Sequence, residues 1–255
     1  MTLTINGVAL LAYLLAAVRI LGWIALAPPF NSKSIPNMAK VTLALGLSFA
    51  IAPTLAKQPV PQNSIDLVVV ALTQVLIGAA MGFVTQLLFD TIAAAGSIID
   101  VLGGFQVAAA FDPLSFNVNS VFGKFHSQLA VMLLFASGGH LMVIGGLLKT
   151  FEFVPLMTFP DITGWGDAMT TAMSMFFSVA LQIALPLGAV FFITDLSLAL
   201  LTKVSPALNA MSMMYPAKIG LTLLLVGMSF PALPEATSRI TDLIMQAMNA
   251  MAGSG

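Results

Sequence analysis

Charged residues are scarce in this sequence. They make up only 7% of its 255 residues, whereas 59% are hydrophobic and the mean hydropathy is +1.02. Because a soluble domain carries roughly a quarter charged residues, this composition predicts an integral membrane protein. The basic residues stand singly and the net charge is -1, which excludes the clustered positive charge that nucleic-acid binding requires.

Cysteine and the common catalytic signatures are also absent. Without cysteine there is no disulfide, thiolate metal ligand or cysteine nucleophile. The sequence contains no HExxH, GxSxG or GK[ST] motif, which would indicate a metalloprotease, a serine hydrolase or a nucleotide-binding loop. The two histidines, His126 and His140, are separated by about 21 Å on a continuous helix, too far to share a metal. We therefore expect no enzymatic activity, no metal and no cofactor.

Long apolar runs separated by polar linkers predict an all-α protein of helical hairpins with kinked long helices. We expect one domain, residues 1–255. The first run, residues 8–27, has the length of a membrane span, about 20 residues, and is interpreted as a retained helix. The other expected apolar elements are residues 41–56, 67–89 with its continuation 93–102, 129–148, 168–201 and 217–233.

Three regions of the chain have further distinctive features. Residues 149–167 collect acidic residues, glycines and prolines, which predicts an exposed loop. As one straight helix, residues 168–201 would be roughly 50 Å long, whereas the hydrocarbon core of a membrane is about 30 Å thick. We therefore expect Pro186 to kink or divide them. Residues 234–255 are predicted to form an amphipathic tail, with apolar residues at helical spacing: Ile240, Leu243, Ile244, Ala247 and Met251.

The segment 103–122 is apolar but cannot remain helical, because Gly103-Gly104 and Asp112-Pro113 interrupt it. Irregular backbone at membrane depth is tolerated only where protein or a water-filled cavity satisfies its polar groups. Taken alone, the residues favour a re-entrant packing segment with Asp112 as a helix N-cap and Pro113 at the first helical position. The alternative is a movable seal facing a channel, formed by Phe105, Val107, Phe111, Asp112, Pro113, Leu114, Phe116 and Phe122.

Charged residues inside apolar spans are expensive and mark polar partners or a transport pathway. Arg19, Asp100 and Asp195 are therefore candidate buried polar contacts, and they leave open a secondary transporter of a small solute. Asp100 is also interpreted as lying at a helix end near the membrane interface. Three small residues, Gly78, Gly82 and Gly96, predict close helix packing.

Three motifs, in this order along nearly the whole chain, resemble the FliR family of bacterial type III secretion export apparatuses. The first, RILGWIALAPPFNSKSIPNMAKVTLALGLSFAIAP, has an arginine in the first span, an Ala-Pro-x-Phe turn and a proline before the second helix. The second, VLIGAAMGFVTQLLFDTIAAAGSIIDVLGGFQVAAAFDP, combines a glycine-spaced span with a later Asp-Pro. The third, LALLTKVSPALNAMSMMYPAKIGLTLLL, matches a basic-x-x-Pro-x-Leu-Asn turn.

The resemblance implies a core subunit of an export gate in the bacterial inner membrane, within a flagellar basal body or an injectisome. It implies a helical hetero-oligomer with FliP-like and FliQ-like subunits, an associated FlhB-like subunit and membrane lipid. Unfolded exported proteins would cross the gate, and the segment 103–122 would plug its channel. The family often has an acidic residue where this chain has Gln74.

Overall fold

The computed structural model describes residues 7–105, 120–159, 162–204 and 210–253. Within these ranges all regular structure is helical and there is no strand, so the all-α prediction is confirmed. The helices are α1 (Gly7–Leu26), α2 (Asn37–Ala50), α3 (Ala52–Leu55), α4 (Ser64–Leu102), α5 (Val121–Ala136), α6 (Gly139–Phe153), α7 (Ile162–Val204), α8 (Ala210–Ser229) and α9 (Leu233–Met251), with a 3₁₀ turn at Phe230–Ala232.

Several of these helices are long and apolar enough to cross a membrane. In the described part of the chain four segments qualify: Gly7–Leu26, Ser64–Leu102, Gly164–Val204 and Pro216–Met251. The α5 and α6 pair, bent by 77°, would make a fifth if it forms one broken span. The chain is thus an integral membrane protein.

The structure corrects parts of two helix predictions. Residues 129–148 are not one continuous helix, because Gly138 adopts a left-handed φ of 74° and the chain bends by 77° between α5 and α6. Pro186 does not divide residues 168–201, since α7 continues through it as one helix, and a kink there stays a prediction. A proline removes a single backbone donor, and long membrane helices tolerate that loss.

The chain divides into two compact units. Unit 1 comprises Met1–Phe89, Gly138–Ser174 and Ile240–Gly255, and unit 2 comprises Asp90–Ser137 and Met175–Arg239. The sequence contains no sign of this division within the predicted single domain of residues 1–255.

The exposed loop predicted at residues 149–167 is largely built into unit 1. Helix α6 continues to Phe153, and Phe151 and Leu156 are buried. The side-chain amide of Gln58 donates to the Phe151 carbonyl (2.7 Å) and accepts from the Leu156 amide (2.9 Å). The prediction is wrong for the buried residues of this stretch, where a distant glutamine supplies hydrogen bonds that the backbone needs.

Glycines let α1 and α4 pack backbone against backbone in unit 1. A Cβ on Gly78 would overlap the carbonyl oxygen of Arg19, and one on Gly82 would lie 2.8 Å from the carbonyl oxygen of Trp23. Gly22 has the same role on α1, because its Cβ would lie 2.9 Å from the Val75 carbonyl oxygen. The structure thus places two of the candidate packing glycines at one helix contact.

The Arg19 guanidinium lies fully buried beside this contact. Its Nε donates to Gln74 Oε1 (2.6 Å), and one terminal nitrogen donates to the Val154 carbonyl (2.8 Å). The guanidinium also stacks 4.1 Å from the centre of the Phe151 ring. The Gln74 amide in turn donates to the Leu156 carbonyl (2.8 Å), so both ends of this amide are used.

The two tryptophans and the end of the C-terminal helix also belong to unit 1. Trp23 is fully buried and its indole N–H donates to Thr85 Oγ1 (3.2 Å). Trp165 Nε1 donates to the carbonyl of Met251 (2.8 Å), at the end of α9. Ile240, Ile244, Met248 and Met251 form the buried face of this helix.

Replacing Gly78 with alanine is expected to destabilise the protein in detergent. The new methyl group would meet backbone rather than a flexible side chain, so we expect a loss near the upper end of the 1–3 kcal/mol that overpacking costs. A lower melting temperature in a thermal unfolding assay would show it. Gly46→Ala is the matched control, because a Cβ there meets nothing within 4 Å and alanine favours the helix. Equal melting temperatures for the two variants would contradict the close contact.

Replacing Arg19 with methionine should also destabilise the protein, by about 2–4 kcal/mol, because it leaves buried acceptors without donors. The Gln74 side-chain oxygen and the Val154 carbonyl would lose their partners while the side-chain volume changes little. Arg19→Lys, which restores part of the donor set, should recover part of the loss in the same unfolding assay. Lys33→Met, at an exposed position, serves as the control. If Arg19→Met melted like that control, the network would contribute nothing to stability.

Candidate functional site

The candidate seal is described at its two ends. Phe105 and Phe122 lie within the described residues, whereas Val107, Phe111, Asp112, Pro113, Leu114 and Phe116 lie outside them. The structure therefore shows how the chain enters and leaves the segment 103–122. Both ends belong to unit 2.

The Asp100 carboxylate binds the start of the helix that follows the segment. Asp100 is only 1% exposed, near the end of α4. The backbone amides of Phe122 (3.0 Å) and Gly123 (3.4 Å) and the hydroxyl of Ser120 donate to Asp100 Oδ2. A carboxylate is favoured at a helix N-terminus, where unpaired N–H groups and the helix dipole both stabilise negative charge. Asp100 thereby connects the last turns of α4 to the first turn of α5.

Ser120 completes this arrangement as the N-cap residue of α5. Its Oγ accepts from the Gly123 amide (2.8 Å) and from the hydroxyl of Ser97 (3.0 Å). A serine N-cap contributes about 1 kcal/mol to a helix. The described part of the chain thus has its helix cap at Ser120, and the predicted cap, Asp112, lies outside it.

Close packing brings α4 and α5 near enough for these bonds. A Cβ on Gly96 would lie 2.5 Å from the Phe122 carbonyl oxygen and 2.9 Å from Gly123 Cα. The third candidate packing glycine therefore lies at the helix contact that Asp100 bridges. Ser97, the next residue along α4, reaches Ser120 from the same place.

The two described phenylalanines of the segment touch each other. The rings of Phe105 and Phe122 are arranged edge to face, with centroids 5.0 Å apart. Phe122 is buried in the core of unit 2, and Phe105 packs against that core. The chain therefore leaves α4 and returns at α5 from neighbouring positions. We call the contacts of Asp100, Ser120, Phe105 and Phe122 the base of the segment.

A third helix contacts the start of the segment, at Gly103, through Thr222 of α8. Its hydroxyl lies 3.4 Å from the Gly103 carbonyl oxygen and donates to the Lys218 carbonyl (2.7 Å). A side chain on Gly103 would collide with Thr222. Gly104 follows with a left-handed φ of 82°, a conformation that ends helices and favours glycine.

One helical turn before Thr222, Lys218 forms an ion pair with Asp195 of α7. The ammonium lies 2.7 Å from Oδ1 and 2.8 Å from Oδ2 of the carboxylate. The lysine side chain is 11% exposed and the aspartate side chain 46%. Sequence reasoning selected Asp195 but missed Lys218. The missed signal was an isolated acid and an isolated base on neighbouring apolar helices.

The buried histidine and carboxylates that a transporter or an enzyme could use make hydrogen bonds or ion pairs within the protein. His126 is buried and its Nδ1 lies 2.8 Å from the Phe122 carbonyl oxygen. No group of three or more histidine, aspartate or glutamate residues that could hold a metal exists among the described residues. Asp100 and Asp195 bind a helix terminus and a lysine, so neither supports a solute-binding site.

Known proteins resemble the chain over most of its length. It is 32% identical to the flagellar biosynthetic protein FliR of Escherichia coli (strain K12), a match covering 86% of this chain and 84% of that protein. It is 30% identical to the protein of that name from Pectobacterium carotovorum, covering 93% and 92%. It is 23% identical to the Yop proteins translocation protein T of Yersinia pestis, covering 92% of each.

The sequence pattern of a whole family also matches. The family described as bacterial export proteins, family 1, covers residues 10–244 of this chain. That range includes all three motifs on which the resemblance was based, all of unit 2 and most of unit 1. The chain therefore belongs to the bacterial export proteins, family 1.

Proposed function

We propose that this chain seals the channel of a protein export gate with its segment 103–122. The broader role follows from the family. The chain is a membrane component of the flagellar or type III export apparatus and not an enzyme. The sealing segment, its partners and its substrates are the specific parts of the proposal.

The observation that carries the proposal is the anchored base of the segment. A seal must hold its position at rest, and its body must be able to move when a protein passes. The base meets the first need, because Asp100 fixes the start of α5 against α4 and Phe105 packs on Phe122. The composition of residues 103–122 meets the second, since apolar side chains alternate with glycine and Asp-Pro.

The base also connects to an ion pair that lies outside the segment. Gly103 contacts Thr222, and Thr222 lies one turn from Lys218, which binds Asp195. Three helices of unit 2, α4, α7 and α8, thus converge where the segment begins. A movement of α7 relative to α8 would reach Gly103 through two side chains. This arrangement supports a gate that responds to its surrounding helices.

We further propose that the chain assembles with FliP-like and FliQ-like subunits and an FlhB-like subunit, and that unfolded proteins cross the assembly. Support comes from the uncovered apolar surface of α7. Its exposed side chains Phe177, Leu181, Leu185, Phe192 and Leu196 follow helical spacing along one stripe. Such a stripe needs lipid or an apolar subunit to cover it.

Two relatives with identities of 30% and 32% are both flagellar. Their similarity supports a flagellar system over a virulence system. The proposed location is the flagellar basal body in the inner membrane.

Removing the apolar side chains of the segment should make the assembled gate leak. Replacing Phe105, Phe111 and Phe116 with alanine takes away bulk that would exclude water and ions from a narrow pore. The expected result is a several-fold rise in ion conductance of the purified complex in planar bilayers. Phe49→Ala, at an exposed position of α2, is the matched control. Wild-type conductance in an intact complex would rule out the sealing role.

Replacing Asp100 with asparagine should loosen the base. Asparagine is uncharged and keeps only one acceptor oxygen, whereas the carboxylate accepts from the Phe122 amide at both of its oxygens and from the Gly123 amide and the Ser120 hydroxyl at Oδ2. We expect a loss of about 1–3 kcal/mol together with increased conductance in the same bilayer assay. Asp66→Asn, at the exposed start of α4, is the control. A stable Asp100→Asn complex without leakage would show that sealing does not depend on the base.

A further inference from the structure

Unit 2 contains a cavity that the gate proposal does not use. Its volume is about 460 Å³, within the range of ligand-binding sites in proteins. Its wall is mainly apolar and is contributed by five helices, α4, α5, α7, α8 and α9, and by the turn Phe230–Ala232. The wall includes Ile99, Val179, Ile183, Leu187 and Leu233. These side chains suit a hydrocarbon chain better than a polar solute.

The rim of the cavity carries one charge of each sign. Glu235 and Arg239 both line it and are both exposed. They are four residues apart on α9, so they lie one turn from each other on the same face. No described residue forms an ion pair with either. Arg239 donates to the side-chain oxygen of Gln182 (3.2 Å), which holds the guanidinium beside the opening.

The rim lies where the surface of unit 2 changes from apolar to polar. Helix α8 exposes Leu223, Leu224 and Met228. After the turn Phe230–Ala232, the first turns of α9 expose Glu235 and Arg239 instead. A transition of this kind is typical of the level at which an apolar span reaches the lipid headgroups.

We propose that this cavity binds a membrane phospholipid with an ethanolamine headgroup. One acyl chain fills the apolar cavity, the phosphate pairs with Arg239, and the ammonium pairs with Glu235. The headgroup is assigned from the charges, because a zwitterion satisfies both side chains at once. An anionic glycerol headgroup would leave Glu235 facing negative charge, and a choline headgroup offers no N–H donor to the carboxylate.

The test is native mass spectrometry of the full-length protein, purified from membranes with whatever subunits accompany it and then delipidated. Palmitoyl-oleoyl phosphatidylethanolamine is titrated against the phosphatidylglycerol and phosphatidylcholine of the same chains. One ethanolamine lipid should bind, at least tenfold more tightly than the other two. Arg239→Gln and Glu235→Gln should each weaken it about tenfold. Asp242→Asn, on an exposed turn of α9 that does not line the cavity, should not.

Filling the cavity tests the position of the acyl chain. Val179→Phe should abolish lipid binding, and Ala236→Phe, at a half-buried position, provides a second variant if the first lowers the melting temperature. Inorganic phosphate should not compete with the lipid. The proposal is overturned by undiminished binding in a folded cavity-filled variant, by preference for phosphatidylglycerol, or by competition from phosphate. It is equally overturned if an accompanying subunit protects the rim and no lipid binds.

Discussion

The burial of a single carboxylate, that of Asp100, determines how the chain is arranged on both sides of residues 103–122. Moving a carboxylate out of water costs several kcal/mol unless donors replace the lost hydration. Those donors come from the first turn of α5 and from its N-cap hydroxyl. The helix can therefore begin only where it meets α4, and α4 must carry small residues there to admit it. Gly96 and Ser97 meet that requirement on α4, and Gly123 is the small residue that faces them on α5.

Individual unusual residues, such as a charge in an apolar span, could be identified from the sequence. Their contact partners could not, because those partners lie far away along the chain. Arg19 could be selected because a charge in an apolar span is expensive, yet its partner at Val154 lies 135 residues away. Gly78 and Gly82 predicted close packing without identifying α1 as the neighbour. The burial of Phe151 and Leu156 was missed because it depends on Gln58, whose linker position gave no hint of this role. The break at Gly138 was missed because glycine is common in membrane helices.

Helices of similar apolar composition differ in how much of their surface the chain itself buries. In α1, 44% of the apolar window is buried by the chain itself, whereas in the segment Gly164–Val204 the fraction is 22%. The first helix therefore contributes a larger share of its apolar residues to the interior than α7 does. The two helices have similar hydropathy, because a hydropathy scale measures how strongly a residue prefers an apolar environment. It does not distinguish whether protein or lipid provides that environment. This is why membrane contact and subunit contact could not be separated from the residues alone.

Both tryptophans of the chain, Trp23 and Trp165, lie in unit 1. Intrinsic fluorescence excited at the red edge, where only indole absorbs, will consequently report on the environment of that unit. The base of the segment 103–122 and the Lys218–Asp195 pair contain no such chromophore and will be silent in that signal. A rearrangement confined to unit 2 would thus leave the emission spectrum of the protein unchanged, so an unaltered spectrum is no evidence of an unaltered gate.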